Sequence, residues 1–357
     1  MSGHASDWIG HEIDGRYVVE REIGAGGMGS VYVADDRRLG RRVVIKVPHA
    51  QFLAEDGFRE RFETEIRSLT RLSHPNVVRS LDCGVRGGVP FAVIEFLSGG
   101  SLKDRLARLG GRMPAPDVAA WLDRIASALD FIHRQGVLHR DVKPANILFD
   151  ARGAAYLADF GIVKALGATG TGLTKTGSTP GSPDYMAPEV VLSPTIGPAY
   201  DLYGLAVVVF HALTGRLPHE GVGGVAALAR RAYQEPLDLV ALAPDVPAKA
   251  ASAVMRALSR DPSGRQKTCA EFAAAFRAGL EAGHDAGHDG RHDGRHDAGH
   301  DAGLDAGGGH AAAGPVREIG VDEVRRARPR RRGVGWLAAA AVAVAALGGG
   351  AHVVLSR

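Results

Sequence analysis

Apolar residues follow two different patterns along residues 17–277. Up to about residue 97, short runs in which apolar and polar residues alternate predict β-strands. These runs are Tyr17–Ile23, Ser30–Ala34, Arg42–Val47, Val77–Leu81 and Phe91–Phe96, and one helical stretch, Phe58–Leu72, interrupts them. From residue 98 onward, long helical patterns follow, such as Pro116–Arg134 and Ala199–Thr214. The change predicts an α+β body with a small lobe rich in strands and a larger helical lobe.

Residues 334–355 form an apolar segment of 22 residues without Asp, Glu, Lys or Arg. As a helix it would be about 33 Å long, enough to cross about 30 Å of hydrocarbon. Six arginines between Arg325 and Arg332 precede it, and basic residues favour the cytoplasmic side. Residues 1–10 are polar and lack the apolar stretch of a signal peptide. The sequence predicts a single transmembrane helix in the plasma membrane with the body cytoplasmic. The alternative is a buried or flexible Ala-rich helix.

Residues 278–333 are interpreted as a linker between the body and this segment. Within it, residues 283–306 repeat a four-residue unit in which His precedes Asp, at His284, His288, His292, His296 and His300. On a helix this spacing would place the imidazoles on one face, as a Zn²⁺ or Ni²⁺ site requires. Most units contain Gly, which costs about 1 kcal/mol relative to Ala in a helix. A disordered linker is therefore preferred to a metal site.

Composition and charge exclude several classes of protein. The chain has 357 residues, of which 45% are hydrophobic and 23% charged, and this mixture excludes a wholly disordered chain. The two cysteines, Cys83 and Cys269, lie far apart in no metal-ligand spacing, which favours reduced thiols in a cytoplasmic body. The net charge is +3, and residues 317–332 alone carry seven Arg and three acids, or +4. The remainder sums to −1, so the body is not expected to bind nucleic acid.

A glycine-rich run from Gly24 to Val31 carries the first chemical signal. Alone, this pattern is weak evidence, because dinucleotide-binding folds also contain it. There a helix would follow, whereas here Ser30–Ala34 has the alternation of a strand. The sequence therefore predicts a strand–loop–strand hairpin whose backbone lies over phosphates. Lys46 follows on the next strand among apolar neighbours, where it needs a phosphate or a carboxylate as its partner.

Three glutamates of the predicted helix at residues 59–72 are candidate carboxylate partners of Lys46. Glu65 borders the apolar face that Ile66, Leu69 and Leu72 define, whereas Glu63 points away from it. Position favours Glu65, while Glu60 and Glu63 remain alternatives.

Three further motifs follow in order. The run from His139 to Leu148 reads HRDVKPANIL, and Asp159-Phe160-Gly161 and Ala187-Pro188-Glu189 come after it. With the glycine-rich run and Lys46, this set resembles bacterial eukaryotic-like (Hanks-type) Ser/Thr protein kinases. The resemblance covers residues 12–277, divided near residue 97, and it implies the bilobal protein kinase fold. Residues 1–11 are left as a disordered N-terminus.

The resemblance assigns a role to individual residues. Asp141 would accept the proton of the substrate hydroxyl, Lys143 would stabilise the transferred phosphoryl group, and Glu65 would hold Lys46. Asn146 and Asp159 would bind Mg²⁺ or Mn²⁺. The expected ATP-binding residues are Ile23, Gly24, Gly26, Gly29, Val31, Val44, Lys46, Ile94, Glu95, Leu97 and Leu148. The expected structural residues are Arg140, Glu189, Asp201 and Arg265, with Glu189 and Arg265 forming an ion pair.

The loop between Asp159 and Glu189 is rich in hydroxyl groups. Thr174 and Thr176 match the activating pair of the bacterial kinases, and their phosphates would bind Arg140. Autophosphorylation in trans would favour a homodimer, and the other partners expected are protein substrates.

Val44 stands where the family usually has Ala, and its two extra methyl carbons press on the adenine pocket. The alternatives are a catalytically weak pseudokinase scaffold and a metal-responsive membrane interaction protein.

Overall fold

The computed structural model describes residues 8–26, 29–54, 57–70, 72–159, 183–192, 196–219, 228 and 231–289. A six-stranded antiparallel sheet forms the first lobe, in the order β1-β2-β3-β4-β6-β5. Its strands are β1 (Glu12–Ile13), β2 (Tyr17–Gly26), β3 (Gly29–Asp36), β4 (Arg41–Pro48), β5 (Ser80–Arg86) and β6 (Val89–Glu95). Two helices, α1 (Ala50–Leu53) and α2 (Phe58–Thr70), lie between β4 and β5 along the chain.

Alternation along the strands gives the sheet two faces with different roles. One face carries a hydrophobic core, to which β4 contributes Val43, Ile45 and Val47. The intervening residues Val44 and Lys46 lie on the opposite face, where the register pairs them with Ile94 and Ala92 of β6. Ala92 packs with three side chains of α2, namely Phe58, Phe62 and Ile66. Helix α2 therefore covers part of the face that carries Lys46.

Helices form the second lobe around one large core. They are α3 (Leu102–Arg108), α4 (Ala115–Arg134), α5 (Glu189–Leu192), α6 (Pro198–Thr214), α7 (Leu239–Leu242), α8 (Ala248–Ala257) and α9 (Cys269–Asp289). A hairpin of β7 (Ile147–Phe149) and β8 (Ala155–Leu157) joins them. Helix α6 is apolar almost all round and is buried from Tyr200 to Phe210, as expected of a central helix. It ends at Gly215, whose φ of 73° is left-handed.

Three segments differ from the sequence-based expectation. Residues 8–11, placed in the disordered N-terminus, lie on the sheet, because Trp8 is buried against Tyr32 and Phe91. The strand expected at Val77–Leu81 begins only at Ser80, since Val78 donates its backbone N–H to Leu157 of the second lobe. Helix α9 continues beyond residue 277 into the first two His/Asp units, although their glycines argued against a helix. Its start is fixed by Asp130, whose carboxylate accepts the backbone N–H groups of Cys269 and Ala270 at 2.9 Å.

The proposed membrane segment at residues 334–355 and most of the linker lie outside the described residues. None of the helices in the described part combines the length and the hydropathy that crossing a bilayer takes.

Candidate active site

The glycine-rich run is a hairpin between two strands, as the alternation after it predicts. Strands β2 and β3 pair antiparallel up to Gly26 and Gly29, and residues 27–28 of the tip lie outside the described part. Gly29 lies against the backbone of Val47, so that a Cβ there would collide with the Val47 carbonyl. At Gly24, by contrast, no described atom lies within 4 Å of the position that a Cβ would take. The backbone at Gly24 is therefore open to a ligand.

The sheet face beneath this hairpin carries the residues expected around adenine. Val31 and Val44 are half-buried there, and cross-strand pairing sets Val44 beside Ile94. Leu148 of β7 is half-buried, Ile23 is 43% exposed, and the connecting residues Glu95 and Leu97 are half-buried. Apolar side chains left partly in water form a surface that an apolar ring can cover.

Lys46 shares this face and forms an ion pair with Asp159. Its side chain is 23% exposed. Burial, reinforced by the positive charge of Lys143, lowers the pKa of Lys46 to about 8, while the charge of Asp141 acts in the opposite direction. The amine therefore lies within electrostatic reach of Asp141 and Lys143.

The pairing of Lys46 with Glu65 stays a prediction. Glu65 belongs to α2, but its side chain lies outside the described part of the chain. The helix is on the correct face, because Ile66 packs on Ala92, the cross-strand neighbour of Lys46.

The loop between α4 and β7 holds the residues expected to act on the hydroxyl substrate. Lys143 Nζ lies 2.8 Å from Asp141 Oδ2. Asn146 Nδ2 donates to the Asp141 carbonyl at 2.8 Å and to its carboxylate Oδ2 at 3.1 Å. Two side chains thus hold one carboxylate, which leaves little rotational freedom for Asp141.

Asp201 fixes the backbone of the same loop. This buried carboxylate of α6 accepts the backbone N–H of His139 through Oδ2 and that of Arg140 through Oδ1, both at 2.8 Å. His133 Nε2 lies 2.8 Å from the same Oδ2. Arg140 itself has a φ of 60°, a conformation that a non-glycine residue keeps only where its surroundings impose it.

A backbone hydrogen bond brings the neighbourhood of Asp159 close to Asn146. Ala158, which precedes Asp159, donates its N–H to the carbonyl of Asn146 at 2.8 Å. Its own carbonyl lies 2.8 Å from Nε2 of the buried His139. Because the amide nitrogen of Asn146 is used on Asp141, its Oδ1 remains as the oxygen that can face a cation. An amide oxygen and a carboxylate are ligands that suit Mg²⁺, so the residues present fit the metal that phosphoryl transfer uses.

Glu189 and Arg265, which are 76 residues apart in sequence, form a bidentate ion pair with both N···O distances at 2.8 Å. The Arg265 side chain is fully buried and also donates to the carbonyls of Ser259 and Ala199 at 2.8 Å. The pair ties the start of α5 to the turn that precedes α9.

Two polar residues near the loop were not singled out by sequence reasoning. His133 holds Asp201, and its only signal is its place in the last turn of an amphipathic helix, six residues before His139. Arg231 is buried and donates to the carbonyls of Pro183 and Met186. Nothing in its local sequence marks it. The expected phosphorylation sites, Thr174 and Thr176, lie outside the described residues.

Comparison with known proteins agrees with this geometry. The family model described as protein kinase domain matches residues 17–274. Serine/threonine-protein kinase PrkC of Bacillus subtilis is 34% identical over 266 residues, which are 74% of this chain and 41% of that protein. Serine/threonine-protein kinase PknA of Mycobacterium tuberculosis (strain H37Rv) is 36% identical over 272 residues, which are 75% of this chain and 62% of that protein. The chain thus spans less than two thirds of the length of these relatives.

Among solved structures, the kinase domain of Mycobacterium tuberculosis PknI is similar to this chain with a TM-score of 0.60 and 29% identity. The match covers 76% of this chain and 98% of that domain. The hairpin over Lys46, the loop fixed by Asp201 and these matches lead to one conclusion. The chain belongs to the protein kinase family, and its kinase domain has the bilobal fold.

Proposed function

We propose that the chain is an ATP-dependent serine/threonine protein kinase. The observation that carries the proposal is the placement of Asp141, held by Lys143 and Asn146, within electrostatic reach of Lys46 and its partner Asp159. A base for a hydroxyl group and a cation for phosphates would thus lie close to one another. The names of PrkC and PknA, which both specify serine and threonine, support the choice of substrate hydroxyl.

The first lobe would bind the nucleotide. Gly24, Gly26 and Gly29 would allow the hairpin backbone to approach the phosphates, and the half-buried apolar side chains beneath would cover the adenine. Lys46 would turn from Asp159 towards the α- and β-phosphates, with Glu65 as its carboxylate partner. Glu95 and Leu97 would offer backbone groups to the edge of the base.

The second lobe would act on the acceptor. Asp141 takes the proton of a serine or threonine hydroxyl as its oxygen forms a bond to the γ-phosphorus. The bond from that phosphorus to the β,γ-bridging oxygen breaks, and ADP leaves with the electron pair. Lys143 stabilises the charge on the transferred phosphoryl group. Mg²⁺ or Mn²⁺, when bound by Asn146 and Asp159, offsets the charge of the phosphates.

Regulation would depend on the loop before Pro183. Autophosphorylation of Thr174 and Thr176 would place phosphates near Arg140, whose backbone is already fixed by Asp201. Neighbouring copies would phosphorylate one another in a homodimer, and further protein substrates would follow.

The location proposed for the chain is the plasma membrane. Residues 334–355 would cross it once, and the arginines before them would hold the kinase domain on the cytoplasmic side. Tethering would raise the local concentration and so favour reaction between copies.

The test is incubation of the full chain with Mg-ATP, followed by mapping of phosphate by mass spectrometry beside an Asp141→Asn control. Phosphate on Thr174 or Thr176 in the wild type and not in the control is the expected result. Nucleotide binding without any phosphate transfer would refute the proposed kinase activity and favour the pseudokinase scaffold.

A further inference from the structure

A buried arginine fixes the segment that faces the general base. Arg231 is 3% exposed, and its Nη1 donates to two carbonyls of the second lobe. One is that of Met186, at 2.9 Å, and the other is that of Pro183. These carbonyls flank the short 3₁₀ turn Pro183–Tyr185, so a single guanidinium group holds both ends of the turn.

The charge of Arg231 has no carboxylate within ion-pairing distance among the described residues. Burial lowers the pKa of Arg231, and the groups that act against this are Tyr203, Asp184 and Tyr200. Its Nε is buried and has no hydrogen-bond partner in the described part of the chain. Burying a cation with only carbonyl partners is costly. An apolar side chain would avoid this cost if Arg231 only filled space.

The held segment lies beside the loop between α4 and β7, which carries Asp141. Tyr185 and Met186 line a small cavity together with Asp141 and Val142. Gly204 of α6 packs between Val142 and Tyr185, since a Cβ on it would lie 3.2 Å from Val142 Cβ and 3.4 Å from the carbonyl oxygen of Tyr185. Tyr185 and Met186 therefore lie beside Asp141, to which a protein substrate would bring its hydroxyl.

We infer that Arg231 is a positioning residue for the protein substrate: it fixes the backbone of Pro183–Met186 against which the residues next to the acceptor hydroxyl lie. This inference rests on the proposed function and deepens it. Arg231 has no described contact with the face that carries Lys46, so its effect should be confined to the protein substrate and should spare ATP.

The test compares steady-state kinetics of the full chain with its Arg231→Met and Arg231→Lys variants. The probe is a peptide copying residues 168–182, assayed with Mg-ATP. In Arg231→Met we expect the KM for the peptide to rise about tenfold, as for the loss of hydrogen bonds to a charged group. The KM for ATP should stay within about twofold, because Arg231 has no described contact with the face that carries Lys46. Arg231→Lys keeps a cationic donor and should show the smaller rise.

Arg112→Met is the matched control, because Arg112 is an exposed arginine paired with Asp245 and should leave both KM values unchanged. An activity-independent readout is amide hydrogen exchange, which should quicken at residues 184–187 in Arg231→Met and not in strand β4. Unchanged peptide KM and exchange in an active enzyme would overturn the inference alone. Parallel changes in both KM values would also overturn it, by showing a general loss of structure. A wild type that phosphorylates no peptide would refute the proposed function and this inference together.

Discussion

The two sides of the candidate active site are built on different physical principles. On the nucleotide side, side chains such as Val44, Ile94 and Leu148 remain half-buried, and Lys46 forms an ion pair with Asp159. On the acceptor side, Asn146 and Lys143 hold Asp141, and the buried Asp201 fixes the backbone of the two residues before it. The first is a surface that a ligand completes, and the second is rigid without one.

This difference matters because phosphoryl transfer depends on position more than on covalent chemistry. The acceptor side must hold a base within hydrogen-bonding reach of a hydroxyl, so its rigidity is useful before the substrate arrives. The nucleotide side would receive a large charged ligand, and the open backbone at Gly24 would let the hairpin approach it. Changes on the acceptor side should therefore reduce the rate, whereas changes on the nucleotide side should alter affinity.

The largest effect is expected from Asp141→Asn, which keeps the shape of the side chain and removes the base. Peptide phosphorylation should fall by about 10²–10⁴-fold, the usual contribution of general base catalysis. Nucleotide affinity, measured by calorimetry, should change little because Asp141 lies on the acceptor side. A loss of nucleotide affinity as large as the loss of rate would contradict the division into two sides.

The second largest effect is expected from Asp201→Ala, which would change the position of the loop without removing a group that reacts. Three donors, on His133, His139 and Arg140, would lose their acceptor in a buried place. We expect a loss of about 3 kcal/mol in the free energy of unfolding. The misplaced loop should lower kcat by about 100-fold. Urea unfolding and initial rates measure the two effects.

The matched control is Asp245→Ala, because the carboxylate of Asp245 is 58% exposed and pairs with an exposed arginine. It should cost no more than about 1 kcal/mol, the usual limit for a surface pair. Equal losses in the two variants would show that Asp201 has no special part in holding the loop.

The sequence predicted the nucleotide side more completely than the contacts that join distant residues around the site. Alternation after the glycines indicates a strand, and the pairing of β2 with β3 confirms that hairpin. Alternation also sets Val44 and Lys46 on one face. These features are local, so a local pattern can reveal them.

Contacts between distant residues were harder to predict. The ion pair of Glu189 with Arg265 was expected only through the resemblance to kinases, and Arg231 was not expected at all. Its partners Pro183 and Met186 are more than 40 residues away and use only backbone carbonyls, which every residue type has. Sequence reasoning also missed that Lys46 pairs with Asp159, because that contact depends on how the two lobes meet.

A third prediction concerns the pH dependence of nucleotide binding. Burial lowers the pKa of Lys46 from 10.5 to about 8, so in the free protein the amine loses its proton as the pH passes 8. The unfolded chain keeps that proton until about pH 10.5. Between pH 8 and pH 10.5 the unfolded chain therefore binds more protons than the folded chain, so Lys46 makes the free energy of unfolding rise with pH over this range. A nucleotide needs the charged amine, so its affinity should fall by up to about tenfold per pH unit above pH 8.

Lys46→Arg provides the control, because a guanidinium group stays charged throughout this range. Calorimetric titration with ADP between pH 7 and pH 9.5 should give a sloping profile for the wild type and a flatter one for this variant. Identical slopes would assign the pH dependence to the nucleotide or to another group.

The smallest effect should come from Val44→Ala, which removes two methyl carbons from the surface that would cover adenine. Val44 is half-buried, and its extra methyl carbons would overpack this surface against a bound base, so we expect nucleotide affinity to rise by about fourfold. Its strand neighbour offers the control, since Val43 is completely buried in the core on the other face. Val43→Ala should cost about 2 kcal/mol in the free energy of unfolding and leave affinity unchanged. Weaker binding in Val44→Ala would mean that the valine contacts the base and does not obstruct it.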